Sequence, residues 1–280
     1  MSTYGRTVLV SVGVLGVSGL AVAALPARIR VRAEVRKRWR TWALAAPVYL
    51  GALFLGGGGA CALAAALGLV AMTEYVRMTG LRRAEAAVLV AASVALPTLA
   101  WAAPSALDAR AIGLLLPVAA LPSLLRGDPE SGFTAAARTV FALLWIAVPL
   151  TALVTLGETA AAVGIAVALG DVGAWCGGTF LGRRGALARP LSPLSPHKTW
   201  AGVLGTVLST GLVLWAVGAW SPFLWAAVAL GCVLGDLLES MVKREAGVKD
   251  AGSWLPGFGG LLDRVDSLLL ALLLTTAVTR

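Results

Sequence analysis

Ten apolar stretches follow one another down this chain, at 8–25, 42–55, 60–73, 86–101, 111–125, 139–156, 159–176, 203–219, 223–238 and 261–278. Each approaches the roughly 20 residues that a helix needs to cross a bilayer. In lipid a chain must satisfy its own backbone, which only helices and closed barrels do, and these runs have helical length. Charged residues fill 13% of the 280 positions, against about 25% in a soluble domain. The expected fold is therefore all-α: a polytopic transmembrane helical bundle of about 9–10 spans, several of them short. The first run has only Arg6 before it and a basic block behind it. That layout favours a retained span over a cleaved signal peptide.

Lysine and arginine sort by side. All but Arg6, Arg110 and Arg280 of the 23 basic residues fall within 28–40, 77–83, 126–138, 183–198 and 243–264. Alternating spans put these stretches on one side, which the positive-inside rule makes cytoplasmic. The net charge of +9 then reads as topology plus attraction to anionic membrane lipids, with no nucleic-acid partner. The expected location is integral to the cell (plasma) membrane, with the polar loops cytoplasmic.

Two parts are expected, an N-terminal transmembrane scaffold over 1–160 and a C-terminal catalytic half over 161–280. In the first, the basic block 28–40 should lie along the membrane surface, with Trp39 and Trp42 at headgroup level. Residues 56–59 read as a short outer turn, and Asp108 and Glu158 as solvated loop residues. The segment RGDPES at 126–131 reads as a turn closed by Gly127 and Pro129. Cys61, Cys176 and Cys232 show no paired spacing and read as packing residues.

The polar chemistry is concentrated in the second half. Asp171 lies in GDVGAWCGGTFLG, where a buried acid is costly and marks a pathway, a partner or a site. The glycines around it suit close helix packing. Ser195, Lys198 and Thr199 precede a helix start and supply donors for an anion. The spaced glycines of a P-loop are absent there. His197, the only histidine, has no Cys or His partner with which to bind zinc. Asp236 shares a helix face with Ser240 and Lys243 or Arg244, and its charge inside an apolar run needs a nearby cation. Glu239 reads as a surface i,i+4 partner of Lys243. Lys249 and Asp250 then precede LPGFGG, whose glycines allow backbone to approach a ligand. Asp263, Arg264 and Asp266 open the last span. Capping explains a carboxylate at a helix start, but two of them plus Asp236 exceed what a cap requires. Oxygen ligands of this kind suit magnesium (Mg2+) shared with substrate phosphates. Lys243, Arg244 and Lys249 would neutralise phosphate charge. Together they suggest phosphoryl or nucleotidyl transfer at a membrane face.

These residues resemble the signature of phosphatidate cytidylyltransferases, the CDP-diacylglycerol synthases. Ser240, Lys243-Arg244, Lys249-Asp250, Pro256-Gly257, Gly259-Gly260, Asp263-Arg264 and Asp266 agree in identity and spacing. Ser195-Pro196 with Lys198-Thr199, and Gly235-Asp236, also agree, so the resemblance covers about 170–270. It implies transfer of the cytidylyl group of CTP to phosphatidic acid, with Mg2+, giving CDP-diacylglycerol and pyrophosphate. Under it Asp236, Asp263 and Asp266 are metal ligands and, with Lys243 and Arg244, the catalytic set. Ser195, Lys198, Thr199, Ser240, Lys249, Asp250, Arg264 and Asp171 become substrate-binding residues. Phe258 stands where the family usually has histidine, and Ala201 where it commonly has glutamate. Neither side chain can hydrogen-bond or titrate.

Two other enzyme chemistries use similar parts, a CTP-dependent lipid kinase and a cytidylyltransferase for another lipid phosphate. A transporter or an inactive paralogue is the non-enzymatic alternative. A transporter would be expected to break polar residues evenly into two repeated halves, whereas here they fall in one. Pairing into a homodimer is left open.

Overall fold

The computed structural model describes residues 1–26, 32–182, 185–252 and 259–279. Among them ten long helices follow in order: α1 (Thr3–Ala24), α2 (Arg32–Phe54), α3 (Gly56–Thr79), α4 (Arg83–Ala102), α5 (Ala109–Arg126), α6 (Gly132–Thr155), α7 (Glu158–Phe180), α8 (Trp200–Ala216), α9 (Pro222–Glu245) and α10 (Leu262–Val278). Seven are long and apolar enough to cross a membrane. Of the rest, α2 begins in the basic block, and α8 and α10 are 17 residues each. The chain is a polytopic helical membrane protein. A two-stranded hairpin, β1 (Pro190–Ser192) and β2 (Ser195–Thr199), joins α7 to α8.

Two local expectations are corrected, and Asp108 and Glu158, exposed as expected, have hydrogen-bond partners as well. The second half of the basic block is no separate surface helix but the first turns of α2. Trp39 there packs on Gly19 and donates its Nε1–H to the Leu15 carbonyl at 3.1 Å. The glycines 57–59 open α3 instead of forming a turn, because only Gly56 adopts positive φ (73°) and the indole of Trp101 lies against Gly57 and Gly58. Asp108 is the N-cap of α5, accepting from Arg110 and Ala111 N–H at 3.0 and 2.9 Å. Glu158 accepts from Tyr4 N–H at 3.0 Å and so ties α1 to α7. The connector after α7 contains the hairpin, whose turn at 193–194 is stabilised by Leu194 N–H donating to the Ser192 hydroxyl.

Helix α6 contains a π turn over Leu143–Ala147, where Val148 N–H reaches the Leu143 carbonyl. The cause lies just beyond. Pro149 has no N–H for the Trp145 carbonyl, and a wider turn absorbs that misfit. Among the seven spans this one is the most buried, 56% of its apolar window, followed by α9 at 50%. Around it α3, α4, α6 and α10 bury Met72, Tyr75, Leu89, Leu143, Ile146 and Leu269.

The helices around the site pack through glycine. A Cβ at Gly173 or Gly177 of α7 would strike backbone of α8, and one at Gly231 or Gly235 of α9 would strike backbone of α10. Lipid tails provide no hydrophobic drive between helices, so close backbone approach supplies the contact.

The basic loops gather at one end of the bundle through a set of polar ties. Buried Glu85 pairs with Arg126 and accepts from the Ser123 hydroxyl at 3.3 Å. Asp128, in RGDPES, accepts from the Ser131 hydroxyl (2.6 Å) and N–H (2.9 Å) and from Arg82 (3.1 Å). Arg138 bridges the Thr79 carbonyl at 3.0 Å and Glu245 at 2.9 Å. Arg28, Arg30, Arg183, Pro256, Gly257 and Phe258 lie outside the described residues.

Candidate functional site

At the basic end, α7, α8, α9 and α10 line a cavity of about 560 Å3, together with the hairpin and Asp250 from the connector after α9. Asp171 enters from α7. Lys198 and Thr199 come from the end of β2, Asp236 and Lys243 from α9, Asp250 from the connector, and Asp263, Arg264 and Asp266 from α10. Nine of the residues singled out from sequence thus share one cavity. Thr199 also caps α8, its hydroxyl accepting from Gly202 N–H at 3.3 Å. His197 lines the wall.

The other four lie outside the lining. Ser195 starts β2, opposite Ser192. Ser240 is 8% exposed within α9. Arg244 donates to the Leu194 carbonyl at 3.4 Å, which pins the hairpin to α9. Lys249 is exposed on the connector. Ala201 is fully buried, with its carbonyl against Gly177. The three cysteines are free, and two of them, Cys61 and Cys232, are buried.

Three carboxylates converge in the cavity: one oxygen each of Asp236, Glu239 and Asp266 lies within 4.8 Å of the others. Spacing on α9 brings the first two together, since positions three apart share a helix face. The third arrives one turn into α10. Glu239 corrects the surface-pair expectation. It does meet Lys243, at 2.6 Å, but its side chain is 1% exposed. Its second oxygen, Oε1, is buried without a hydrogen-bond partner. The sequence signal was present, an acid one turn below Asp236 in an apolar run, but a nearby lysine supplied a simpler reading.

Asp263, expected beside Asp236 and Asp266 around an ion, lines the same cavity but stands outside the group of three. Its Oδ1 accepts from Lys243 Nζ at 2.8 Å, and its Oδ2 from Gly260 N–H at 2.7 Å and Ala251 N–H at 3.0 Å. A carboxylate in the first turn of a helix reaches back to amides just upstream, as the acid of a capping box does. Those amides compete with an ion for its lone pairs. Asp263 thereby ties Ala251, directly after Lys249 and Asp250, and Gly260 to the start of α10.

Charge in the cavity is balanced in part by cations. Lys198 pairs with Asp236, and Lys243 bridges Glu239 and Asp263. Three carboxylates this close in a low-dielectric setting repel strongly unless a cation lies between them. The orphaned Glu239 oxygen and the all-oxygen donor set fit a hard divalent cation, which takes one or two protein carboxylates and fills its shell with water or phosphate.

The chain is 37% identical over 161 residues to the phosphatidate cytidylyltransferase of Mycobacterium leprae, covering 52% of this chain and 50% of that protein. It is 43% identical over 113 residues to the phosphatidate cytidylyltransferase of Helicobacter pylori, covering 38% and 41%. With phosphatidate cytidylyltransferase 4, chloroplastic, of Arabidopsis thaliana, identity is 45% over 106 residues, covering 35% and 26%. The chain spans half the length of these relatives or less. The model of the family described as "Cytidylyltransferase family" matches residues 36–280; with every helix of the cavity inside that match, the chain belongs to the cytidylyltransferase family.

Proposed function

We propose that this protein transfers the cytidylyl group of CTP to phosphatidic acid, giving CDP-diacylglycerol and pyrophosphate, at the cytoplasmic face of the plasma membrane. The observation that carries the reading is the convergence of Asp236, Glu239 and Asp266 beside Lys198 and Lys243, inside a bundle of membrane helices. Nucleotide phosphates require that mixture of acid and base, and a lipid phosphate requires that location. The names of the matched relatives support it.

Asp236, Glu239 and Asp266 would hold Mg2+, which when bound neutralises phosphate oxygens as charge moves between them. An oxygen of the lipid phosphate forms a bond to the α-phosphorus of CTP. The bond from that phosphorus to its bridging oxygen breaks, and pyrophosphate leaves. The attacking oxygen is already anionic, so no strong base is needed. Positioning and charge neutralisation do most of the work. Lys198, Lys243 and Arg264 face the cavity and would meet phosphate oxygens there. Lys249 and Asp250 would act from the connector, and Arg244 and Ser195 by holding the hairpin in place. Thr199 would present its hydroxyl at the start of α8, Ser240 would support Asp236 from within α9, and Asp171 would face the substrates from α7. Asp263 would act through the connector and Lys243.

The test is purified protein with labelled CTP and phosphatidic acid, with and without Mg2+. CDP-lipid and pyrophosphate are expected only when magnesium is added. In a parallel run with diacylglycerol, a lipid alcohol, as acceptor, lipid phosphate plus CDP would identify a kinase instead, and no CDP-lipid from any of several lipid phosphates would overturn the reading.

A further inference from the structure

We propose that Glu74, on α3, is a positioning residue for this site: it sets where α10 begins and therefore where Asp266 stands. The inference rests on the cytidylyl-transfer reading above. Glu74 is 1% exposed, and both its oxygens are taken by backbone donors. Oε1 accepts from Leu261 N–H at 2.9 Å and Oε2 from Leu262 N–H at 2.7 Å. Amides at a helix start have no partner within their own helix. The N-cap position of α10 is Leu261, which has no polar side chain to supply one. The missing cap comes from 187 residues upstream, as a negative charge that the positive end of the helix favours.

Gly252 and Gly260 pack on the same carboxylate. A Cβ at Gly252 would come within 2.5 Å of Glu74 Oε1, and one at Gly260 within 2.7 Å of Oε2. Asp263 grips Ala251 and Gly260 from the other side. Two acids thus fasten the segment that carries Lys249 and Asp250, and Glu74 is the one supplied by the first half of the chain. Asp266 follows Leu262 by four residues, about one helical turn. A shift at the helix start is passed to its carboxylate, while Asp236 and Glu239 stay with α9. Displacing a reacting group by about 1 Å can cost about 10²-fold in rate.

The variant that tests this is Glu74→Gln. It keeps the size but has one acceptor oxygen, and its amide would face a backbone donor. Expected are a fall in kcat of about 10- to 100-fold, with KM for CTP within about threefold of wild type, and faster trypsin cleavage after Lys249. Met72→Ala, a fully buried neighbour on α3, controls for lost stability; its folded fraction should keep the wild-type kcat. Gly260→Ala, with Glu74 intact, should reproduce the kcat loss, and it carries the test if Glu74→Gln does not fold. Wild-type kcat in either site variant, or a loss no larger than that of Met72→Ala, overturns the proposal. Wild-type protein run in parallel separates the two questions. If it makes no CDP-lipid, the functional reading has failed, and unchanged cleavage at Lys249 would then sink the role of Glu74 as well.

Discussion

Helices α5 and α9 are nearly equal in mean hydropathy, 1.4 and 1.6, yet 11% of the first window is buried and 50% of the second. Leu114 and Leu116 of α5 are 63% and 62% exposed, and a Cβ on its Gly113 would meet nothing within 4 Å. On α9, Gly231 and Gly235 press against the backbone of α10, while Asp236 and Glu239 face the cavity. Lipid and protein interior are equally apolar, so hydropathy recognises a span without saying what it faces. Small residues and intramembrane acids carry that second message.

The contrast is most exposed to failure at the acids. Asp236→Asn should lower CDP-lipid formation at least about 10²-fold, the scale seen when a charge-stabilising group is removed. A retained rate would break the link between the buried face of α9 and chemistry. Packing comes next. Gly231→Val should cost about 1–3 kcal/mol by overpacking against α10, read as earlier unfolding in denaturing detergent. Gly113→Ala on α5 should instead be neutral or stabilising by about 0.5–1 kcal/mol, from helix propensity alone. Equal effects at the two glycines would erase the distinction between the helices.

The smallest effect is in acid, at the loop that ends α5. The Ser131 hydroxyl and backbone N–H groups hold the Asp128 carboxyl down to about 2, against about 3.9 in an unfolded chain. A depressed carboxyl stabilises the fold fully above the unfolded value, and its contribution fades as pH falls from about 4 to about 2. Thermal melts of Asp128→Asn should therefore differ from wild type at neutral pH and converge with it near pH 2. A gap that persists at pH 2 would assign the difference to something other than this charge.

Period and charge placement were enough to find the ten long helices among the described residues, because each span must satisfy its backbone alone and its ends follow the basic loops. The helix ends were less legible. Runs of glycine and arginine read as turn and surface, whereas Gly57 and the first residues of α2 are helical once Trp101 and Trp39 pack on their neighbours. The hairpin was missed because its pairing is only 3 and 5 residues long and is tied down by Arg244 from α9. Within the site, Asp236 and Asp266 were legible as acids where acids are costly. Glu239 was hidden by its lysine, and Glu74 by its distance along the chain.

By itself, then, the amino-acid order determined a membrane bundle, its polar end and the acidic and basic residue types gathered there, since these follow from local hydropathy and charge. Only the folded arrangement decided which acids share a centre and which brace it. That choice depends on glycines that let α9 touch α10, and on backbone amides that donate to Asp263 and Glu74.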